Sequence, residues 1–183
     1  MRKAIGFVEV KSIPVGIQTA DEMLKAGNIE ILLSTPICPG KYVIIVSGQI
    51  GPIKAAMAKA EMVAGVYLIE SYHIDNINEK VLPAISGVTE VSNLKAIGTV
   101  ETISALTSVL AADVAVKAAK VEVVDIRIAR GLGGKGFFMI TGEVSSVKQA
   151  IQAVANKMGE EGAITSTSVI ASPHKDLIPL ILG

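Results

Sequence analysis

Ala4-Ile5-Gly6-Phe7-Val8-Glu9 returns as Ala96-Ile97-Gly98-Thr99-Val100-Glu101, at an offset of 92 (96 − 4). Self-similarity at a fixed period marks repeated structural units. Asp21 and Lys25 return as Asp113 and Lys117 at the same offset. Gly40-Lys41 matches Gly134-Lys135, and Gly48 matches Gly142, at an offset of 94 (134 − 40), which places a two-residue insertion in between. Val81-Leu82-Pro83 pairs with Leu177-Ile178-Pro179 at 96 (177 − 81). The duplication runs through the whole sequence of 183 residues.

Each copy reads as the same series of elements. Lys3 to Val10 is a β-rich run, followed by a helix over Val15 to Ala26 that Gly27 ends. Ile29 to Leu33 and Tyr42 to Val46 read as strands joined by a Pro-Ile-Cys-Pro-Gly loop. Ile53, Met57, Ala60 and Ala64 follow at spacings of 4, 3 and 4 and so share one helix face, and Val147, Ile151, Val154 and Met158 repeat that stripe. A strand near Val66 to Ile74 and a short helix ending at Leu82-Pro83 complete the copy. Strand, helix, two strands, helix, strand is the order of a ferredoxin-like α+β unit, one sheet with two helices on one face. The sequence therefore predicts two such units in tandem. The small, polar stretch from Ser86 to Asn93 has no copy periodicity and reads as linker. The domains are then 1–87 and 95–183, with 88–94 between them.

Composition narrows the function. Half of the residues are hydrophobic, ample for a core. Lys and Arg number 17 against 17 Asp and Glu, with no basic cluster of the kind that neutralises a phosphate backbone. Aromatic residues are only 3%, too few for base-stacking platforms, so nucleic acid is not an expected partner. Glu9 interrupts the apolar start, which is not the pattern of a secretory signal. The apolar stretch from Ile103 to Val116 is too short for a membrane span and contains Asp113. A mean hydropathy of +0.54 is instead accommodated by self-association. No Ser-His-Asp set, nucleotide loop or catalytic carboxylate pair emerges, so an enzyme is not expected. Glu9 and Glu101, copies on equivalent strands, are expected to make the same hydrogen bond twice. His73 and His174 occupy nonequivalent positions and are expected to be structural or exposed.

The single cysteine, Cys38, lies in Pro36-Ile37-Cys38-Pro39-Gly40-Lys41. Alone it makes no intrachain disulfide, and with two histidines it falls short of a zinc site within one chain. The prolines restrict the backbone around it and Gly40 lets the loop turn. Lys41 would favour the thiolate if its ammonium points that way. The glycine-rich Gly131-Leu132-Gly133-Gly134 lies between two strands, so it reads as a turn and not as a phosphate cradle.

The opening Ala-Ile-Gly-Phe-Val-Glu, the Ala20-Asp21 and Lys25-Ala26 helix, Cys38-Pro39-Gly40-Lys41, the Leu82-Pro83-Ala84-Ile85-Ser86-Gly87 junction and Gly131-Leu132-Gly133-Gly134-Lys135 together resemble tandem-domain bacterial microcompartment shell proteins. The resemblance implies a homotrimer, a pseudohexameric ring of six similar domains that tiles with other shell proteins inside the cytoplasm. It implies a central pore lined by Ile37, Cys38, Pro39, Gly40 and Lys41 and by Gly131, Leu132, Gly133, Gly134 and Lys135. It further implies that Cys38 contributes to an iron–sulfur cluster, a [4Fe-4S] cube shared by three chains on the threefold axis, with a redox enzyme as an electron partner. Thiolates are the usual ligands of such clusters, and rotation would turn one sulfur into three. The second loop has no cysteine. Lys25 and Lys117 match a lysine that lies along the edge between neighbouring tiles. Ser172-Pro173-His174 departs from the family, many members of which carry arginine before Pro-His, so edge contacts here are expected to be weaker or to use other residues. Two other readings stay open: a shell protein with an open metabolite pore and no cluster, and a free ligand-binding regulator of ferredoxin-like fold.

Overall fold

The computed structural model describes residues 4–87, 89, 91, 94–128, 131–160 and 162–182. Lys3, where the first strand was expected to begin, and positions 88, 90, 92 and 93 of the expected linker lie outside the described residues. The chain divides into two compact units, Met1–Ile77 and Asn78–Gly183.

In the first unit, β1 (Ala4–Val10), α1 (Ile13–Ala26), β2 (Ile29–Ile37), β3 (Lys41–Gly48), α2 (Ile50–Ala64) and β4 (Leu68–Ile74) follow in order. The sheet runs β2-β3-β1-β4, antiparallel throughout. Side chains alternate across a strand, so β1 divides its residues between two faces. Ala4, Val8 and Val10 join Met23 of α1 and Ile53, Met57, Ala60 and Ala64 of α2 in one core. The stripe read from the sequence is thus the buried face of α2. Ile5, Phe7 and Glu9 point from the opposite face, where Phe7 stacks on Tyr72 with ring centroids 4.7 Å apart. Pro14 fits the first turn of α1, where a missing N–H costs nothing. Gly27 ends that helix for a different reason than left-handed geometry. Its backbone is extended, and a Cβ there would stand 2.7 Å from the carbonyl oxygen of Pro52.

The second unit repeats the plan with β5 (Ala96–Thr102), α4 (Thr107–Ala118), β6 (Val121–Ile128), β7 (Gly136–Gly142), α5 (Val144–Met158) and β8 (Ile164–Ile170), in sheet order β6-β7-β5-β8. Val147, Ile151, Val154 and Met158 are all buried. Ile29 pairs with Gly48 and Val121 with Gly142, so the two hairpins are in register at their bases. The inserted residues therefore fall in the connection between the hairpin strands, which is 38–40 in the first unit and lies between β6 and β7 in the second. A short helix, α6 (Ile178–Leu182), lies near the C-terminus.

One element changes sides relative to the sequence reading. The short helix α3 (Val81–Ile85) belongs by repeat order to the first copy, yet it falls in the second compact unit, against β6 and α4. The Asn78 N–H donates to Oδ1 of buried Asp113 at 2.8 Å, and Lys80 Nζ reaches Glu122 at 2.7 Å and the Val121 carbonyl at 3.0 Å. These bonds begin where the units part, which is earlier in the chain than the boundary expected after Gly87.

Candidate functional site

The β2–β3 hairpin presents the thiol. Ile37 pairs with Lys41 as the last rung of the ladder, leaving Cys38, Pro39 and Gly40 to make the turn. The Cys38–Pro39 peptide is cis, and Gly40 takes φ +73°, a left-handed conformation that glycine adopts without strain. Cys38, Pro39 and Gly40 are exposed while Ile37 is buried, so the loop is rooted by an apolar side chain and carries its sulfur in the open. Among the described residues, no group of three or more His, Cys, Asp or Glu side chains comes together. A single chain offers one thiolate.

The hairpin is tied to the central strand by an ion pair. Lys41 Nζ donates to Glu9 Oε1 at 2.6 Å. Glu9 is 1% exposed, and its Oε2 accepts no hydrogen bond among the described residues. The ammonium that the sequence offered to the thiol is thus engaged by a carboxylate. Across β1, Glu9 pairs in register with Glu70 of β4. Burial first, then the charges of Glu70 and Glu9, push the Tyr72 phenol well above its ordinary range.

The second loop repeats the tie in a wetter setting. Lys135 Nζ donates to Glu101 Oε1 at 2.9 Å, and the expectation that the two glutamates make one bond twice is met by these two ion pairs. Glu101 is 38% exposed and also accepts from the Thr165 hydroxyl at 2.6 Å. The Thr165 hydroxyl, and next the Lys135 ammonium, hold its carboxyl below the usual glutamate range. Gly131, Gly133 and Gly134 all take positive φ, which fits a turn. Leu132 accepts from the Lys135 N–H through its carbonyl at 3.2 Å.

Lys25 and Lys117 sit at the ends of α1 and α4 and make equivalent bonds one helical turn back, to Asp21 and Asp113, each at 2.5 Å. Lys25 also reaches Glu22 at 3.2 Å, and the Asp21 carboxylate is the main cause of its ammonium titrating above the ordinary lysine range. His73 stands 3.4 Å from Asp75 and His174 3.6 Å from Asp176, pairs of near neighbours at the surface that the spacing had not suggested. Both turns and both helix-end lysines stand at the repeat-equivalent positions read from the sequence. Sequence reasoning missed Asp113 as the acceptor for Asn78 and Thr165 as the second partner of Glu101, because neither bond leaves a periodic trace.

Comparison with known proteins gives one consistent answer. The BMC domain family matches residues 4–77 and again 96–173. The chain is 40% identical over 177 residues to the bacterial microcompartment shell protein PduT of Citrobacter freundii, covering 97% of this chain and 96% of that protein. It is 33% identical over 89 residues to the shell protein PduA of Salmonella typhimurium, which spans 45% of this chain and 93% of the relative, about one repeat. The crystal structure of a microcompartment protein from Desulfitobacterium hafniense superposes with a TM-score of 0.94 at 37% identity, covering 98% of this chain and 99% of the other. No helix among the described residues is long and apolar enough to cross a membrane.

Proposed function

This chain belongs to the BMC domain family of bacterial microcompartment shell proteins, and from that membership we propose that it closes as a homotrimer into a pseudohexameric ring with an iron–sulfur centre in its pore. Its place is the bacterial microcompartment, where its relatives are shell proteins. In the proposed ring the turns Ile37 to Lys41 and Gly131 to Lys135 face the threefold axis. Each chain contributes the Cys38 thiolate to one shared [4Fe-4S] cluster. Lys25 and Lys117 lie along the edges between this ring and neighbouring shell proteins.

The observation that carries this reading is the exposed Cys38 at the tip of a hairpin whose turn is rooted by buried Ile37. The donor chemistry fits the group. A thiolate is the usual cluster ligand, and threefold symmetry supplies three of them for three irons of a cube. The other loop carries glycines in place of a second thiol, so it adds no competing sulfur at the axis. When bound, such a cluster supplies one-electron transfer across the shell, to or from a redox enzyme. The residues of the chain hold the sulfur, shape the aperture through Pro39 and Gly40, and close the turn through Lys41.

Cys38→Ser tests the assignment. In protein purified without air, iron and visible absorption should be lost completely, while the mass by light scattering stays that of a trimer. A variant that falls to monomers would make the metal structural. A wild-type trimer that is colourless, iron-free and still forms sheets would favour an open metabolite pore.

A further inference from the structure

We propose that Glu9 is the positioning residue of the cysteine loop: its buried carboxylate clamps Lys41 and thereby fixes where the Cys38 thiol is held. The proposal rests on the pore reading for its functional meaning, and on the geometry of β1 and β3 for its substance. Glu9 is 1% exposed, Lys41 Nζ is 2.6 Å from Oε1, and Oε2 is buried without a hydrogen-bond donor among the described residues. In register across β1 stands a second glutamate, Glu70, and like charges facing each other across a ladder oppose burial.

A buried ion pair with one oxygen unsatisfied is a poor way to add stability. Removing a carboxylate from water costs more than one contact restores, and apolar side chains of similar size often serve the fold as well or better. Such a pair can instead fix geometry, because a charge-assisted bond is short and directional. The repeat supplies the control. At the equivalent pair Glu101 is 38% exposed and receives a second hydrogen bond from Thr165, where the first unit has Ile69 on its edge strand. The costly version of the pair stands only under the loop that bears the thiol. Lys41 closes that turn as the register partner of Ile37, the residue before Cys38, so fixing its ammonium fixes both ends of the turn.

Glu9→Gln and Glu101→Gln test this in the full-length assembled protein, with and without iron. In the iron-free protein, Glu9→Gln should speed hydrogen exchange at the amides of Cys38, Gly40 and Lys41 roughly tenfold, the size expected for losing one charge-assisted bond. Alkylation of Cys38 by iodoacetamide should change by a similar factor, with the melting temperature little moved. Glu101→Gln should change exchange at Gly133 to Lys135 by about threefold or less, since that pair is partly exposed. Lys41→Gln should give the same loop effect as Glu9→Gln, and the double variant no more than either single change. In iron-loaded protein, Glu9→Gln should retain iron but broaden the electron paramagnetic resonance signal.

Unchanged loop exchange, or a large loss of melting temperature with the loop unaffected, would overturn the clamp and make Glu9 part of the fold alone. Loop loosening in the variant, with wild-type protein that binds no iron even when kept from air, would uphold the clamp and overturn the iron–sulfur reading.

Discussion

The two hairpin turns, residues 38–40 and the one between β6 and β7, began as copies and have diverged in opposite directions. The first is short, stiffened by Pro36 and Pro39, carries the chain's thiol and stands over a buried glutamate. The second is longer, rich in glycine, and stands over a glutamate that water reaches. What they share is the strut from the first strand, Glu9 to Lys41 and Glu101 to Lys135. What differs is how far each strut is removed from solvent, and so how firmly it can hold its loop. A duplicated fold lets one copy specialise while the other keeps the original plan.

The same contrast extends to the α1 and α4 helices, where the largest stability difference is expected. Asp21 and Asp113 are repeat equivalents with the same lysine partner. Asp21 is exposed, whereas Asp113 is buried and also accepts the Asn78 N–H that docks the start of α3. Asp113→Ala should cost about 2–3 kcal/mol, because it leaves the half-buried Asn78 N–H without its acceptor and removes a buried, paired charge. Asp21→Ala should cost roughly 0.5 kcal/mol or less. Urea unfolding at fixed chain concentration checks both, and equal costs would break the comparison.

A smaller effect separates the sheets where a glycine of β1 or β5 faces a helix. A Cβ on Gly6 would meet Met57 Sδ at 2.6 Å, and one on Gly98 would meet Val147 Cγ1 at 2.7 Å with Ile140 and Ile151 close behind. The clashes look alike, but methionine has three rotatable bonds to retreat with and valine is held at χ1. Gly98→Ala should therefore destabilise by about 1–3 kcal/mol and Gly6→Ala by clearly less. Thermal unfolding of the two variants side by side would reveal a reversal of that order.

The smallest effect concerns pH. Glu101 titrates below its ordinary value, so the stability it contributes is present above about pH 4.3 and is lost as pH falls through its folded value. Thr165→Val removes the first cause of that depression. The Glu101 carboxyl should then titrate higher, closer to an ordinary glutamate, in a carboxyl-detected NMR titration, with the Lys135 pair retaining part of the shift.

Much of this was legible in the sequence. The offsets of 92, 94 and 96 placed equivalent elements correctly, and both apolar stripes are the buried faces of α2 and α5. Periodicity reports which face of an element avoids water, and that sufficed for two ferredoxin-like units. It says little about where a five-residue helix packs, so α3 was assigned by order to one copy while it packs against β6 and α4 of the other. Burial of Glu9 was equally invisible, since a glutamate in a strand reads the same whether its face is wet or dry. The copy Glu101 predicted the bond but not the difference in environment that gives the first loop its firmer hold.

Iron and acid-labile sulfide per trimer, measured on wild-type protein kept from air throughout, bear most directly on the claim that symmetry turns one thiol into a ligand set. The account predicts about four of each per three chains, as one cubane requires. A trimer with neither would contradict it.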